Sequence, residues 1–331
     1  MAVRVLVTGA GGFIGHHLVS SLKRRGYWVR GVDLEEPQYG ETEADDFERL
    51  DLRCPEDAER AARDVEEVYA LAADMGGIGF ISQHGARIFR NNLLINVHTL
   101  EAARANGVRR YLFASSACIY PVSRQRATSV VPLREEHAYP AEPEDDYGWE
   151  KLVTERLCSA HARDRAVETR VVRLHNIFGP FGAWTGGREK APAAICRKVA
   201  LAKLTGNPEV EIWGDGEQTR SYCYIDDCTE GLHRLMRSAY PEPLNLGQDR
   251  LITVNALADL VASIAGVRIE KRHVEGPQGV RGRNSDNARL REVLAWEPRV
   301  SLEDGLARTY AWIEQHVRSA LGAGVDLRRR A

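Results

Sequence analysis

The sequence predicts an α/β protein built on a doubly wound parallel sheet, with a smaller, partly interleaved α/β region beside it. Three observations carry that expectation. An apolar run dense in β-branched residues, 3–8, gives way to a glycine-rich turn and then to Phe13, Ile14, Leu18 and Leu22 at helical spacing. Strand-like and helical patterns then alternate, as a parallel sheet with crossover helices requires. With 331 residues, and ~150 per domain as a guide, there is room for two domains or one large domain with an insertion.

Residues 3–8 read as the first strand, and residues 27–33 as the second, ending in the acid Asp33. A third short strand precedes Asp51 and Leu52. Residues 67–73 and 111–115 read as further strands, the latter running into Ser116, while residues 92–104 and 149–163 carry helical patterns. After about Arg173 the rhythm changes. Stretches rich in glycine and proline, His175-Asn176-Ile177-Phe178-Gly179-Pro180 and Trp184-Thr185-Gly186-Gly187, interrupt the elements. We therefore expect a first domain over residues 1–174, rejoined by 221–248, a second over 175–220 and 249–320, and a tail over 321–331. The tail's Arg328-Arg329-Arg330 is expected to be a solvated chain end.

Composition narrows the partners. Hydrophobic residues make up 44% and charged residues 28%, and the formal net charge of -2 offers no overall attraction for nucleic acid or a membrane surface. An anionic ligand must be held by local groups. The six cysteines show no CxxC pairing, which speaks against zinc and a disulfide framework and for a cytoplasmic setting. No leader-like segment follows Met1, and no apolar run reaches the ~20 residues a membrane span needs.

Gly9, Gly12 and Gly15 form a GxxGxxG pattern between the first strand and the first helix. Glycines there let the backbone turn sharply and approach a pyrophosphate, while the helix start, at Phe13 and Ile14, offers unpaired N–H groups. Asp33 is placed to accept from a ribose 2′-hydroxyl and to repel a 2′-phosphate, so the expected cofactor is NAD and not NADP. Asp51 and Leu52 stand beside the adenine on one reading; on the other, the acid caps the next helix, whose first turn holds Pro55, Glu56 and Asp57.

Tyr147 and Lys151 lie four residues apart, one helical turn, so both side chains can address one point. A phenol near ~10, lowered by a neighbouring ammonium and an oxidised nicotinamide, can exchange a proton near neutrality. Tyr147 is therefore a candidate base for an alcohol that loses hydride.

Together with Trp213-Gly214-Asp215-Gly216, Gln218-Thr219-Arg220 and Tyr224-Ile225-Asp226-Asp227, these motifs resemble the extended short-chain dehydrogenases that act on nucleotide sugars, whose nucleotide domain has the Rossmann fold. Four stretches are similar to the GDP-mannose 3,5-epimerase family in particular. They are Leu71 to Gly77, Ala114 to Pro121, Gly186 to Ala194, and Gly279 to Asn287. The resemblance runs from residue 3 to about residue 315.

The resemblance implies transient oxidation of a hexose at carbon 4, epimerisation at carbons 3 and 5, and re-reduction, giving GDP-L-galactose, GDP-L-gulose or both. It assigns the acid and base of inversion to Cys118 and Lys190, and stabilisation of the ketone and enolate oxygen to Ser116. Asn176, Glu189, Ala191, Lys198, Gln218, Arg220 and Arg283 are implied around the sugar nucleotide, and Gly76 and Gly77 against the hexose. Helices 92–104 and 149–163 resemble the pair through which relatives form a homodimer. Dehydratases of this superfamily carry an Asp-Glu pair where Ala117 and Cys118 stand, which disfavours loss of a hydroxyl. Inversion at carbon 4 or carbon 5 alone, or a non-catalytic NAD-binding role, are the competing readings. His175 is read as structural.

Overall fold

A computed structural model describes residues 2–327; the Arg328–Arg330 run lies outside the described residues. The chain opens with β1 (Arg4–Thr8), α1 (Phe13–Arg24), β2 (Trp28–Asp33), β3 (Asp46–Arg49), α2 (Pro55–Ala62) and β4 (Glu67–Ala70). There follow α3 (Ile78–Ile81), α4 (Gly85–Ala105), β5 (Arg110–Ser116), α5 (Asp146–Arg163) and β6 (Glu168–Leu174). The strand Leu244–Leu246 joins them in one seven-stranded sheet, ordered Leu244–Leu246, β6, β5, β4, β1, β2, β3. Every pairing in it is parallel. The doubly wound sheet expected from the alternating pattern is present.

Chain order reverses beside β1, where β2 and β3 lie on one side and β4 to β6 on the other. A parallel sheet opens a crevice at such a switch point, beyond the C-terminal ends of its strands. The glycine turn after β1 and the Ser116 end of β5 both lie at those ends. Strand interiors are continuous apolar runs, since helices cover both faces; Val5, Val7, Tyr69, Tyr111, Leu112 and Phe113 are all fully buried.

Beyond β6, short sheets of two and three strands surround helix α6 (Ala191–Thr205), the helix Val254–Ala265 and the C-terminal helix Leu302–Gly322. This assembly sits over the crevice and supplies its second wall. Leu327, past the last helix, is buried, and its carbonyl accepts from Arg197 of α6 at 3.3 Å. No helix among the described residues is long and apolar enough to cross a membrane.

Candidate active site

The glycine turn is shaped by contacts that admit no side chain. Gly9 takes φ +71°, and a Cβ on Gly15 would lie 2.0 Å from the Gly9 carbonyl oxygen. Gly9 and Ala10 both donate to the Val32 carbonyl, fastening the turn to β2. Gly12 caps α1 without any side-chain partner, so the first-turn N–H groups at Phe13, Ile14 and Gly15 are free for an anion. Asp33 accepts from the Gly11 N–H at 3.0 Å and the Leu34 N–H at 2.7 Å. Burial pushes its carboxyl up and these amides pull it back. A carboxylate has about four acceptor positions, which leaves room for a ribose hydroxyl. These features fit a dinucleotide.

Asp51 and Leu52 behave differently. Leu52 is buried in the core cluster behind β2 and β4, and the Asp51 carboxylate is taken up by the Arg53 backbone N–H and guanidinium. The N-cap of α2 is Cys54, so Asp51 does not cap that helix.

At the end of β5, Ser116 accepts from the Cys118 N–H at 3.1 Å and starts a single 3₁₀ turn, Ala117–Ile119, that carries Cys118. Helix α5 is pressed against this turn because Gly148 has no side chain; a Cβ there would stand 2.4 Å from the Cys118 carbonyl oxygen. The neighbouring Tyr147 is thereby buried with Cys118 packed against its cluster, and its hydroxyl shares a hydrogen bond with Ser116. Ser115, one residue earlier, serves the core: it donates to Glu155, which is paired with the buried Arg173.

Lys151 lies 5.5 Å from the Tyr147 ring centroid. Proximity alone predicts a lowered phenol, but in the protein by itself burial dominates and raises Tyr147 well above its ordinary value, with Cys118 and Glu150 adding to the rise. An oxidised nicotinamide, where bound beside it, would add a positive charge that opposes this rise.

The opposite wall begins at Lys190, the N-cap of α6, with Ala191 as the first helical residue and Pro192 next. Burial pushes the Lys190 ammonium below the ordinary lysine value, and Cys118 opposes that shift. A lysine so shifted can give and take a proton. Glu189 beside it accepts from Arg197 at 3.2 Å and from the Gly187 N–H at 2.7 Å. Gly77 touches this segment directly, since a Cβ there would meet the Glu189 carbonyl at 2.5 Å, whereas one on Gly76 would meet the Phe80 ring at 3.0 Å. For both glycines the immediate restriction comes from the chain itself.

Two arginines close the site. Arg283 donates to the Cys118 sulfur at 3.2 Å and to Gln125 at 2.6 Å, and its Nη2 is buried with no hydrogen bond. Arg220 donates to the carbonyls of Thr219 and Val280. Burial and then the Arg283 charge bring it down to about 10. A buried and a half-buried guanidinium stand within each other's field here, with Glu144 3.9 Å from Arg283, and guanidiniums of this kind suit a diphosphate. Asn176, at φ +45°, donates to the Ser221 carbonyl, and Gln218 donates to Trp213 while its Oε1 is buried and unpaired. Lys198 instead donates to the Glu211 carbonyl at 2.8 Å.

His175 is fully buried, hydrogen-bonded to Asn245 and held down to about 3 by burial, as befits a core residue. Sequence reasoning passed over Arg197, Glu144 and the Phe80 ring, on which Arg188 stacks at 3.9 Å. Their partners lie far away in sequence, and no local spacing marks them. Among the described residues no cluster of His, Cys, Asp or Glu is placed to hold a metal.

Fold and site together define a nucleotide-binding α/β protein with a Tyr-x-x-x-Lys centre, and the NAD dependent epimerase/dehydratase family model matches residues 5–247. The chain belongs to that family. More particularly, it is 46% identical over 327 residues to GDP-mannose 3,5-epimerase 1 of Oryza sativa subsp. indica, covering 98% of this chain and 85% of the relative. Among solved structures, UDP-glucose 4-epimerase of Thermotoga maritima with UDP-glucose superposes with a TM-score of 0.85 at 29% identity, covering 95% of this chain and all of that one. The Thermus thermophilus UDP-glucose 4-epimerase in complex with NAD gives a TM-score of 0.81 at 26% identity, covering 94% of this chain and 99% of that one.

Proposed function

We propose that this chain is a GDP-mannose 3,5-epimerase using NAD, with GDP-L-galactose, GDP-L-gulose or both as its products. The observation that carries the reading is the position of Cys118, which packs against the Tyr147 cluster and accepts from the Arg283 guanidinium at 3.2 Å. Its likeness to the rice enzyme over nearly the whole chain supports the choice of substrate.

Hydrogens on carbons 3 and 5 of a hexose are not acidic, but a ketone at carbon 4 activates both. NAD, when bound, supplies the acceptor and later the donor of that carbon's hydride. Gly9, Gly12, Gly15, the α1 N-terminus and Asp33 would hold it. Tyr147 takes the proton of the carbon 4 hydroxyl, aided by the standing charge of Lys151. Cys118 and Lys190 then remove and return carbon-bound protons on opposite faces, while Ser116 donates to the oxygen on which enolate charge develops. Arg220 and Arg283 hold the diphosphate.

Turnover of GDP-mannose in deuterium oxide tests the reading. Label at both carbons 3 and 5 is expected; label at one carbon, or at none, overturns it. We also propose a homodimer through α4 and α5. These helices pack together by the Asn96–Thr154 hydrogen bond yet leave Val97, Trp149 and Val153 exposed on their outer face. Light scattering should give twice the chain mass at micromolar concentration, and a monomer there sinks this part.

A further inference from the structure

Glu150 takes no part in the chemistry above, yet its side chain has no exposure to solvent. A buried carboxylate is costly unless it is paired and hydrogen-bonded. Here it is both. Its Oε1 lies 3.7 Å from the Lys151 ammonium and accepts from Asn92 at 2.8 Å, and its Oε2 accepts from Asn96 at 3.3 Å. Asn92 is itself fully buried and fully used, since its other amide contacts clamp the backbone N–H and carbonyl of Asp74.

We infer that Glu150 is a positioning residue for the hydride-transfer step, holding the Lys151 ammonium under the Tyr147 ring and balancing its charge in a site closed to water. This rests on the reading of Tyr147 and Lys151 as the redox pair. Without the carboxylate, the contacts left to the ammonium among the described residues are the Phe113 ring at 4.8 Å and the Tyr147 ring, both weak partners for a desolvated cation. Nor is the carboxylate neutral toward the tyrosine, for its charge adds to the rise of the phenol. Burial pushes the Glu150 carboxyl up, and the Lys151 ammonium followed by the Asn92 amide holds it back.

The other charged and titratable groups facing this pair leave Glu150 as its counterion. Asp145 at the start of α5 is occupied as the helix cap. Glu155 on the same helix is paired with Arg173 of β6, and Asp74 on the loop after β4 with Arg87 and Arg188. Cys118 accepts from Arg283, and Cys158 is buried and pushed up, so it is a neutral thiol.

The experiment is the pH profile of kcat, with stopped-flow reduction of bound NAD on mixing with GDP-mannose. Glu150→Gln keeps the shape and, with its oxygen toward Asn92, the shorter of the two asparagine contacts, while removing the charge and placing an NH2 against the Asn96 amide. It should lower kcat by ~10–100-fold, leave KM and NAD affinity unchanged, and shift the alkaline limb of the profile acidward by about one pH unit. Glu150→Asp keeps the charge at a shorter reach; it should keep the wild-type alkaline limb with kcat down several-fold. A wild-type profile and kcat for Glu150→Gln overturn the inference. If circular dichroism shows that variant unfolded, Glu150→Asp decides, and wild-type kcat there overturns it equally. Wild-type protein that never reduces NAD would instead overturn the redox reading beneath it.

Discussion

The two walls of the site each hold a lysine, buried on one and half-buried on the other, and they treat it in opposite ways. On the redox wall, Lys151 stands next to the buried carboxylate of Glu150. On the inversion wall, Lys190 forms no ion pair among the described residues, and burial pushes its ammonium down. A paired lysine is built as a standing charge, and an unpaired one as a group that exchanges protons. The two walls also differ in origin. Tyr147 and Lys151 share one helix, α5, so their relation is fixed by helical geometry. Cys118 and Lys190 come from a 3₁₀ turn and a helix cap on segments far apart in sequence, and only the packed fold brings them within each other's field.

The sharpest test of this division compares one substitution on each wall. Tyr147→Phe should remove hydride transfer and every later step, a loss of ~10³–10⁴-fold in both NAD reduction and deuterium uptake. Cys118→Ala should cost inversion ~10²–10⁴-fold while bound NAD is still reduced on mixing with substrate. If Cys118→Ala exchanges deuterium at carbons 3 and 5 as fast as wild type, the inversion wall is misassigned. If it abolishes NAD reduction too, the walls are not separable.

A smaller effect is expected at the seam where the walls meet. In Gly148→Ala the added methyl would drive into the Cys118 carbonyl at 2.4 Å, a backbone atom that cannot swing aside as a flexible side chain does. Either α5 lifts or the Cys118 turn shifts. Overpacking of this kind costs about 1–3 kcal/mol, and both NAD reduction and deuterium uptake should fall together, by ~10-fold. A denaturation midpoint and both rates equal to wild type would show that the seam is loose.

What could be read from the sequence follows the same division. The parallel sheet, the glycine turn, Asp33 and the Tyr147–Lys151 pair rest on local spacing, which survives in a linear string. Helix α4 begins at Gly85, seven residues before the stretch read as helical, and along it polar Asn91, Asn92 and Asn96 are buried where an apolar period would place hydrophobic residues. Those asparagines serve Asp74 and Glu150, contacts that no spacing rule anticipates. Cys118, Lys190 and Arg283 entered through family resemblance, since their meeting depends on the fold. Glu150 was in plain view inside the Tyr-x-x-x-Lys motif, but charged residues on helices are usually solvated, and only its complete burial marks it out.

The smallest effect concerns stability and turns on the sign of the Lys190 shift. Its folded value lies below the unfolded one, near ~10.4, so between the two the unfolded chain binds more protons and stability rises with pH. Below both values each state is protonated, and the folded protein carries the full cost of a partly buried, unpaired ammonium. Lys190→Met keeps the length of the side chain and removes that cost. It should therefore raise the melting temperature at neutral pH by about 2 °C, as expected for ~1 kcal/mol in a chain of this size, while abolishing inversion. The gain should shrink as pH rises toward the ordinary lysine value, where the native side chain sheds its proton. Calorimetric melts of both proteins across that range decide the matter. A Lys190→Met protein no more stable than wild type at neutral pH would mean that Lys190 has a partner there, and that the contrast between the two lysines does not hold.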